Sequence, residues 1–580
     1  MNTANRPFRK NNEAIAATFW FVTFIALLGS YISGDESVLI PLLFALSAFV
    51  IRVSQALQLT NFHHRLNDQT VSVITENELK EIKRKHSNEL FYGSGFVWGK
   101  NERKLLEQSR SSECIGVNEG ELMHGLHSEK RIFLPADNFG SHTLVVGTTG
   151  SGKTRFVELL LTQKILSEPK EAIVVLDPKG DKGLQQSLKH YAGERFMQLD
   201  ILEAQHSVSI NVLADYVISS EVATRISSLL PQEAGSMPFT SQVWQAINAI
   251  VKGYEFLGEK VTLKKLSASL SFELDTLCER VVWHAIEKYH PKELDKAKVR
   301  AGQKIGRARV LELFNVYKEL SIMSQMDDSV MKLFDLYKLT PEYLNKMISG
   351  IFPILGRLTE SPLGELLSPS ESEVMKSFTL NQILSKGKVL YVNLNCLLDQ
   401  EIGQAVGSLL LSSLVSIAGA VQGRQNSDFP KVNIFIDEAS MLSTNAMINL
   451  LNKGRSCGFQ VTIATQTFND FRAALGNDAK AKEVLANTNM KVFLRTLDRD
   501  TQQFAVESMP MVEVERVSTS FSSHLESQST EVNSRTNTIL QTQMVSLIPP
   551  EVLGSLPNLH YILVLPHQTI KGRLAVINAS

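Results

Sequence analysis

The stretch VVGTTGSGKT, residues 145–154, spells G-x-x-x-x-G-K-T from Gly147 to Thr154. That spacing is a phosphate cradle. Glycines let the backbone N–H groups of Gly147, Thr148, Thr149, Gly150, Ser151 and Gly152 wrap a polyphosphate, and a helix N-terminus adds partial positive charge. An apolar run, Thr143–Val146, precedes the loop, and a helix is predicted to begin near Lys153. Lys153 then reaches the β- and γ-phosphates of ATP, and the Thr154 hydroxyl is a ligand for Mg²⁺.

A second group of chemistry-bearing residues lies far downstream. NIFIDEAS, residues 433–440, is an apolar strand ending in two acids. Asp437 suits the Mg²⁺ shell, and Glu438 suits a general base that polarises an attacking water. KGRSCGFQVTIATQ follows, residues 453–466. Gln466 ends a strand, where it either senses a γ-phosphate or is satisfied by backbone. Arg455 sits in a glycine-flanked turn, either as a finger for a neighbouring subunit's nucleotide or as a packing arginine. Arg495, in KVFLRTLD, competes for the finger role. In LDPKGDKG, residues 176–183, Asp177 and Lys179 stand at a strand's carboxyl end, with a site role and a turn-capping role both open.

The elements that position these groups read as α/β. Short β-rich runs recur at Thr143–Gly147, Ala172–Asp177, Val389–Leu394, Val432–Asp437 and Val461–Thr465, in the manner of buried parallel strands. Residues 218–350 carry long amphipathic segments and almost no strand signal, so an all-helical insert is expected between a first nucleotide-binding part, 91–217, and a second, 351–580. The polar stretch from Arg516 to Gln543 predicts an exposed hairpin or loop. Tyr561–Leu565 and Arg573–Ile577, flanking PHQTIKG, predict a final hairpin.

The amino terminus is apolar. Ala14–Ile32 is free of charge, and Val38–Leu59 is interrupted only by Arg52, which must snorkel or face protein. Residues 1–60 therefore predict a two-span membrane anchor, and 61–90 a polar juxtamembrane connector. Arg6, Arg9 and Lys10 precede the first span, Lys80, Lys83, Arg84 and Lys85 follow the second, and the loop between carries Asp35 and Glu36. Positive charge puts both ends of the anchor in the cytoplasm. A cleaved signal peptide would export an ATP cradle to a compartment without ATP. Lys+Arg total 59 and Asp+Glu 60, which excludes a globally basic nucleic-acid coat but not a local basic lining. Six basic residues, Lys296, Lys298, Arg300, Lys304, Arg307 and Arg309, offer either a phosphate-binding face or a solvated helix face. The four cysteines form no C-x-x-C and read as reduced thiols.

Two apolar spans, GTTGSGKT, DPKGD, a helical insert, FIDEAS, GRSCG and ATQ occur in one order, and together they resemble the conjugative type IV coupling proteins, the TraD/TraG-type ATPases. The resemblance is nearest to the TraD of integrative conjugative elements. It implies a RecA-like P-loop NTPase domain with an inserted all-α domain, assembled as a homo-hexamer on the bacterial inner membrane. It further implies DNA translocation, single-stranded DNA in the ring being the expected cargo, with a relaxase or relaxosome and type IV secretion channel components as partners. Motor roles carry over to Lys153, Thr154, Asp437, Glu438, Arg455 and Gln466. Some relatives end in a long acidic tail that docks the relaxosome. Such docking is not expected here, and the helical insert is expected to do more. Two other functions share these motifs: a membrane receptor that uses ATP only as an assembly switch, and a chromosomal DNA pump of the FtsK type.

Overall fold

The computed structural model describes residues 11–66, 71–110, 119–139, 141–230, 237–321, 326–369, 377–423, 428–525 and 532–578. Its strands, in chain order, are β1 (Ser72–Thr75), β2 (Glu89–Trp98), β3 (Lys130–Pro135), β4 (Thr143–Val146), β5 (Ala172–Asp177), β6 (Phe196–Asp200), β7 (Ser209–Ile210), β8 (Ser377–Phe378), β9 (Val389–Asn393), β10 (Val432–Ile436), β11 (Phe459–Thr465), β12 (Met490–Phe493), β13 (Met511–Leu525), β14 (Val532–Ser546), β15 (His560–Leu565), β16 (Gln568–Arg573) and β17 (Ala575–Asn578).

One sheet of eleven strands organises the chain, in the order β3-β2-β16-β15-β12-β4-β11-β10-β5-β9-β6. The run from β12 to β6 is parallel; β15, β16, β2 and β3 extend it with antiparallel pairing. β4, β5 and β10 are buried along their whole length, as strands covered on both faces must be. Alternate side chains feed two cores. Leu144, Val174 and Ile434 join the helical insert and the long helix Gln400–Gly423 on one face. Val145, Ile173, Val175 and Phe435 meet the helix Lys153–Ser167 on the other. This is a RecA-like α/β architecture.

Between Ser219 and Leu367 the described residues are helices and their connections. The helices run beyond residue 350, where the sequence signal suggested a boundary. Phe352–Thr359 still belongs to the helical body, because it packs on Leu263–Ser271 as well as on Gln400–Gly423.

The expected final hairpin forms, but with a shorter turn and an earlier second strand. PHQTIKG is not a turn: Pro566 and His567 alone make the turn, and Gln568 already pairs with Leu565. β16 is drawn into the ladder because it has a neighbour on each side, β15 and β2. Residues 575–578 instead form β17, parallel to β1. The stretch 61–90, expected as a polar juxtamembrane connector, carries secondary structure. It continues a helix to Leu66, forms β1, and adds the helix Glu76–Lys85 with Leu79 and Ile82 buried. The polar stretch around 516–543 forms a long antiparallel ribbon, β13 with β14, paired from Met511↔Ser546 to Leu525↔Val532. Cys278, Cys396 and Cys457 are free.

Among the described residues, three helices are long and apolar enough to cross a membrane: Asn12–Ile32, a unit ending at Leu66, and Gln400–Gly423. The third is largely buried in the ATPase-like core, whereas the first two expose Ile15, Phe19, Ile40 and Phe44. Arg52 faces protein: its Nη1 lies 2.6 Å from Glu13 Oε2 on the neighbouring helix. Leu66 ends that pair against Gly125, where a Cβ would come within 2.6 Å of the Leu66 backbone.

Phe435 is fully buried in the central strand β10. Phe435→Ala is expected to lower the unfolding free energy by about 3–5 kcal/mol. Thermal unfolding of the full chain in detergent should show a clearly lower midpoint; an unchanged midpoint contradicts the central place of β10.

Candidate functional site: a phosphate cradle facing two acids

β4 delivers the cradle at its carboxyl end. Gly147 N donates to Thr465 O at 3.3 Å and Thr148 N to Arg495 O at 2.8 Å, so the loop is tied to the segments ending β11 and following β12. Gly150 and Gly152 take φ of +78° and +110°, a region that favours glycine. Phe156 N then bonds Gly152 O at 2.9 Å, and the helix Lys153–Ser167 begins. Lys153 turns back into the loop: Nζ donates to Gly147 O at 2.6 Å and stands 3.9 Å from Glu438 Oε1. Burial pulls the Lys153 pKa below the usual lysine range, opposed by the Glu438 and Asp437 charges.

The two acids leave β10 in different environments. Asp437 is buried, and its Oδ1 has no hydrogen-bond partner among the described residues. Burial first, then the Asp177 and Glu438 charges, push its pKa up to about 6. A buried, unpartnered carboxylate oxygen fits a cation ligand. Among the described residues no three His, Cys, Asp or Glu side chains gather to hold a metal by themselves. A cation of the Mg²⁺ kind takes few protein ligands and completes its shell with phosphate and water, which a single buried carboxylate oxygen such as Asp437 Oδ1 suits.

Glu438 adopts φ +39°, a left-handed conformation unusual for a side chain with a Cβ. Its Oε1 accepts from Lys179 Nζ at 2.6 Å and from Gln466 Nε2 at 3.1 Å. Gln466 Oε1 in turn lies 3.4 Å from Thr149 Oγ1. The Gln466 side chain thus spans from cradle to acid, in preference to the strand backbone. Asp177 works in the turn: it accepts from the backbone of Lys179, Gly180 and Asp181, and from the Tyr391 hydroxyl at 2.5 Å. Lys179 is the partner of Glu438 that its position in the sequence did not reveal. Tyr391 was invisible too, since a single tyrosine in the apolar run VLYVN carries no such signal.

The two arginines separate. Arg495 contributes its carbonyl to Thr148, so it stands beside the cradle of its own chain. Arg455 is exposed in the turn Gly454–Cys457, before β11, whereas Gln466 follows β11. A seven-residue strand separates them, roughly 20 Å at ~3.3 Å per residue. Arg455 is therefore not brought to its own chain's cradle.

The basic stretch in the insert is internally paired. Lys296 pairs with Glu293, Lys298 with Asp295, Arg300 with Glu312 and Glu319, Lys304 with Glu312, and Arg309 with Glu279. Arg307 donates to the carbonyls of Tyr337 and Leu339. Most of these partners come from other helices, so the linear sequence gave no sign of them. This is an ion-paired helix face, in place of a dedicated phosphate-binding one.

A cavity of about 1170 Å³ opens from Glu438 and Gln466 toward the insert, reaching Arg225, Ser408 and Asp470. It joins the candidate chemistry to the helix Ser219–Ser227.

Cradle, acids and sheet define a P-loop nucleotide-binding protein of RecA-like architecture. Comparison with known proteins sharpens that class. Residues 431–558 match the family model described as the TraM recognition site of TraD and TraG. Residues 118–340 match the central domain of the helicase HerA. Among solved structures, the unbound monoclinic form of the bacterial conjugative coupling protein TrwBdeltaN70 is similar at a TM-score of 0.51 and 15% identity, covering 84% of this chain and 93% of that one. Its trigonal form in complex with sulphate gives 0.50 and 15%, over 87% and 92%. At that identity the likeness shows the fold. No curated protein sequence matches the chain. The resemblance to TraD/TraG-type coupling proteins thus holds in the segment that carries Asp437, Glu438, Arg455 and Gln466.

Asp437 supplies a test of the buried acid. Its folded pKa, about 6, lies above the ordinary aspartate value of 3.8. The native state therefore holds the proton more tightly than the unfolded chain, and stability falls as pH rises from about 4 to about 6. Asp437→Asn is expected to stabilise the nucleotide-free chain by about 1–3 kcal/mol at pH 7.5, with the advantage gone near pH 4. Thermal midpoints across that range check it; a destabilised Asn variant at pH 7.5 contradicts it.

Proposed function

We propose that this chain is a membrane-anchored, ATP-driven DNA translocase that couples relaxase-bound DNA to a type IV secretion channel in conjugation. The observation that carries the reading is the chain of contacts from Thr149 through Gln466 to Glu438, beside Lys153. It links a triphosphate cradle to an acid suited to activate water, and that acid and Gln466 lie within the segment resembling TraD and TraG. ATP with Mg²⁺ is the cofactor pair. Residues Gly147 to Thr154 hold the phosphates, and Thr154 and Asp437 hold the cation, which neutralises phosphate charge when bound. Glu438 accepts the proton of the attacking water, and Gln466 reports the γ-phosphate to the acid.

The helices Asn12–Ile32 and Leu39–Leu66 anchor the chain in the bacterial inner membrane with both ends of the anchor cytoplasmic. The chain works as a homo-hexamer around DNA, single-stranded in our reading. Arg455, exposed and remote from its own cradle, acts on the neighbouring subunit's nucleotide. The helical insert and the segment resembling a TraM recognition site receive the relaxosome.

The test is ATP turnover of the full chain in detergent or nanodiscs, with and without single- and double-stranded DNA. Lys153→Ala should abolish turnover. Glu438→Gln should retain ATP binding and lose turnover by about 10²-fold or more. A protein that only switches on binding ATP would keep substrate transfer with Glu438→Gln, and that result overturns the motor reading.

Arg455→Ala alone should also be inactive, yet mixing it with Lys153→Ala should restore part of the turnover. Wherever the cradle of an Arg455→Ala subunit meets the arginine of a Lys153→Ala neighbour, the interface joins an intact cradle to an intact arginine, whereas the reverse interface stays dead. No recovery on mixing, with mixed oligomers demonstrated, overturns action in trans.

A further inference from the structure

We infer that Lys179 is a restraint on Glu438, holding the catalytic carboxylate in a resting position until the β5 turn is displaced. The inference rests on the ATPase reading above. Lys179 Nζ lies 2.6 Å from Glu438 Oε1, nearer than the cradle lysine, whose Nζ is 3.9 Å from the same oxygen. Gln466 Nε2 also approaches that oxygen, at 3.1 Å. The Lys179–Glu438 contact is a short charge-assisted bond between a half-exposed lysine and a buried acid. While it stands, the carboxylate is tied to the turn after β5. A base must be free to align with a water opposite the leaving phosphate, so this tie opposes catalysis.

The turn is rigid and has a handle. Asp177 caps it through the N–H groups of Lys179, Gly180 and Asp181, so the backbone under Lys179 does not depend on the lysine side chain. Asp177 O accepts from Leu394 N at 2.9 Å, and Pro178 O accepts from Cys396 N at 2.8 Å. Asn393 packs against Gly180, and its Oδ1 accepts from Asn395 N at 3.1 Å. The segment held this way continues directly into Leu397 and Leu398, which are 71% and 74% exposed. Two backbone hydrogen bonds connect that segment to Asp177 and Pro178, the two residues that precede the latch lysine. Lys179 is a positioning residue here, and Glu438 remains the group that meets water.

Three variants of the full chain test this, by steady-state ATP turnover without and with DNA. Lys179→Met should raise turnover without DNA about tenfold, the scale of losing one charge-assisted bond. The KM for ATP should stay within about twofold and the ratio of DNA-stimulated to unstimulated rate should shrink. Lys179→Arg keeps the cation and should keep the low resting rate. Lys179→Met combined with Glu438→Gln should show no gain, which ties the effect to that carboxylate. A fall in kcat with Lys179→Met, a rise in KM that marks a phosphate-binding lysine, or an unchanged resting rate overturns the restraint. Turnover absent from the native chain under every condition overturns the ATPase reading, and the restraint falls with it.

Discussion

The register of three neighbouring parallel strands governs the rest of the molecule. β11 lies between β4 and β10, with Thr465 opposite Val146 and Ile463 opposite Ile436. All three strands end at the same edge, so the cradle after Val146, the acids after Ile436 and Gln466 after Thr465 emerge side by side. A slip of one residue in either ladder would turn every side chain to the opposite face and separate Gln466 from Glu438. Burial on both faces prevents that slip, since each strand has an apolar set committed to each core.

Concentrating charge at this edge has a cost that the surrounding groups offset. Asp177, Asp437 and Glu438 are all buried there, against Lys153 and the half-exposed Lys179. Asp177 is satisfied by three N–H groups and a tyrosine hydroxyl. Glu438 is satisfied by Lys179 and Gln466. Asp437 alone keeps an unpartnered oxygen and a raised pKa. The local strain of Glu438 at φ +39° lies in the same turn. Unpartnered charge and backbone strain in one turn are tolerated because the flanking sheet over-determines it.

The apolar helices and the nucleotide-binding region are continuous in covalent and packing terms. The second apolar helix runs to Leu66 and meets Gly125, and β1 then pairs with β17 near the carboxyl end. The first and last parts of the sheet-bearing region are thereby joined next to the second apolar helix. The Glu13–Arg52 pair fixes the two apolar helices to each other with a charged contact that low dielectric strengthens.

Much of the candidate site was legible in the chain itself. The glycine spacing, the strand before it and the acid pair after VNIFI are local features, set by backbone sterics and by apolar runs that only a doubly covered sheet satisfies. The apolar helices at the amino terminus were legible for the same reason, since their length and lack of charge are properties of one segment. What tertiary structure decided were relations between segments. It put Lys179 on Glu438, drew Gln466 between cradle and acid, sent Arg455 to the far end of its strand, and matched the basic stretch of the insert to acids on other helices. It also turned the stretch after Leu66 and the final residues into paired strands. Hydrogen bonds and ion pairs between residues hundreds of positions apart leave no periodic or compositional trace; they exist only once the sheet brings their carriers within about 3 Å of each other.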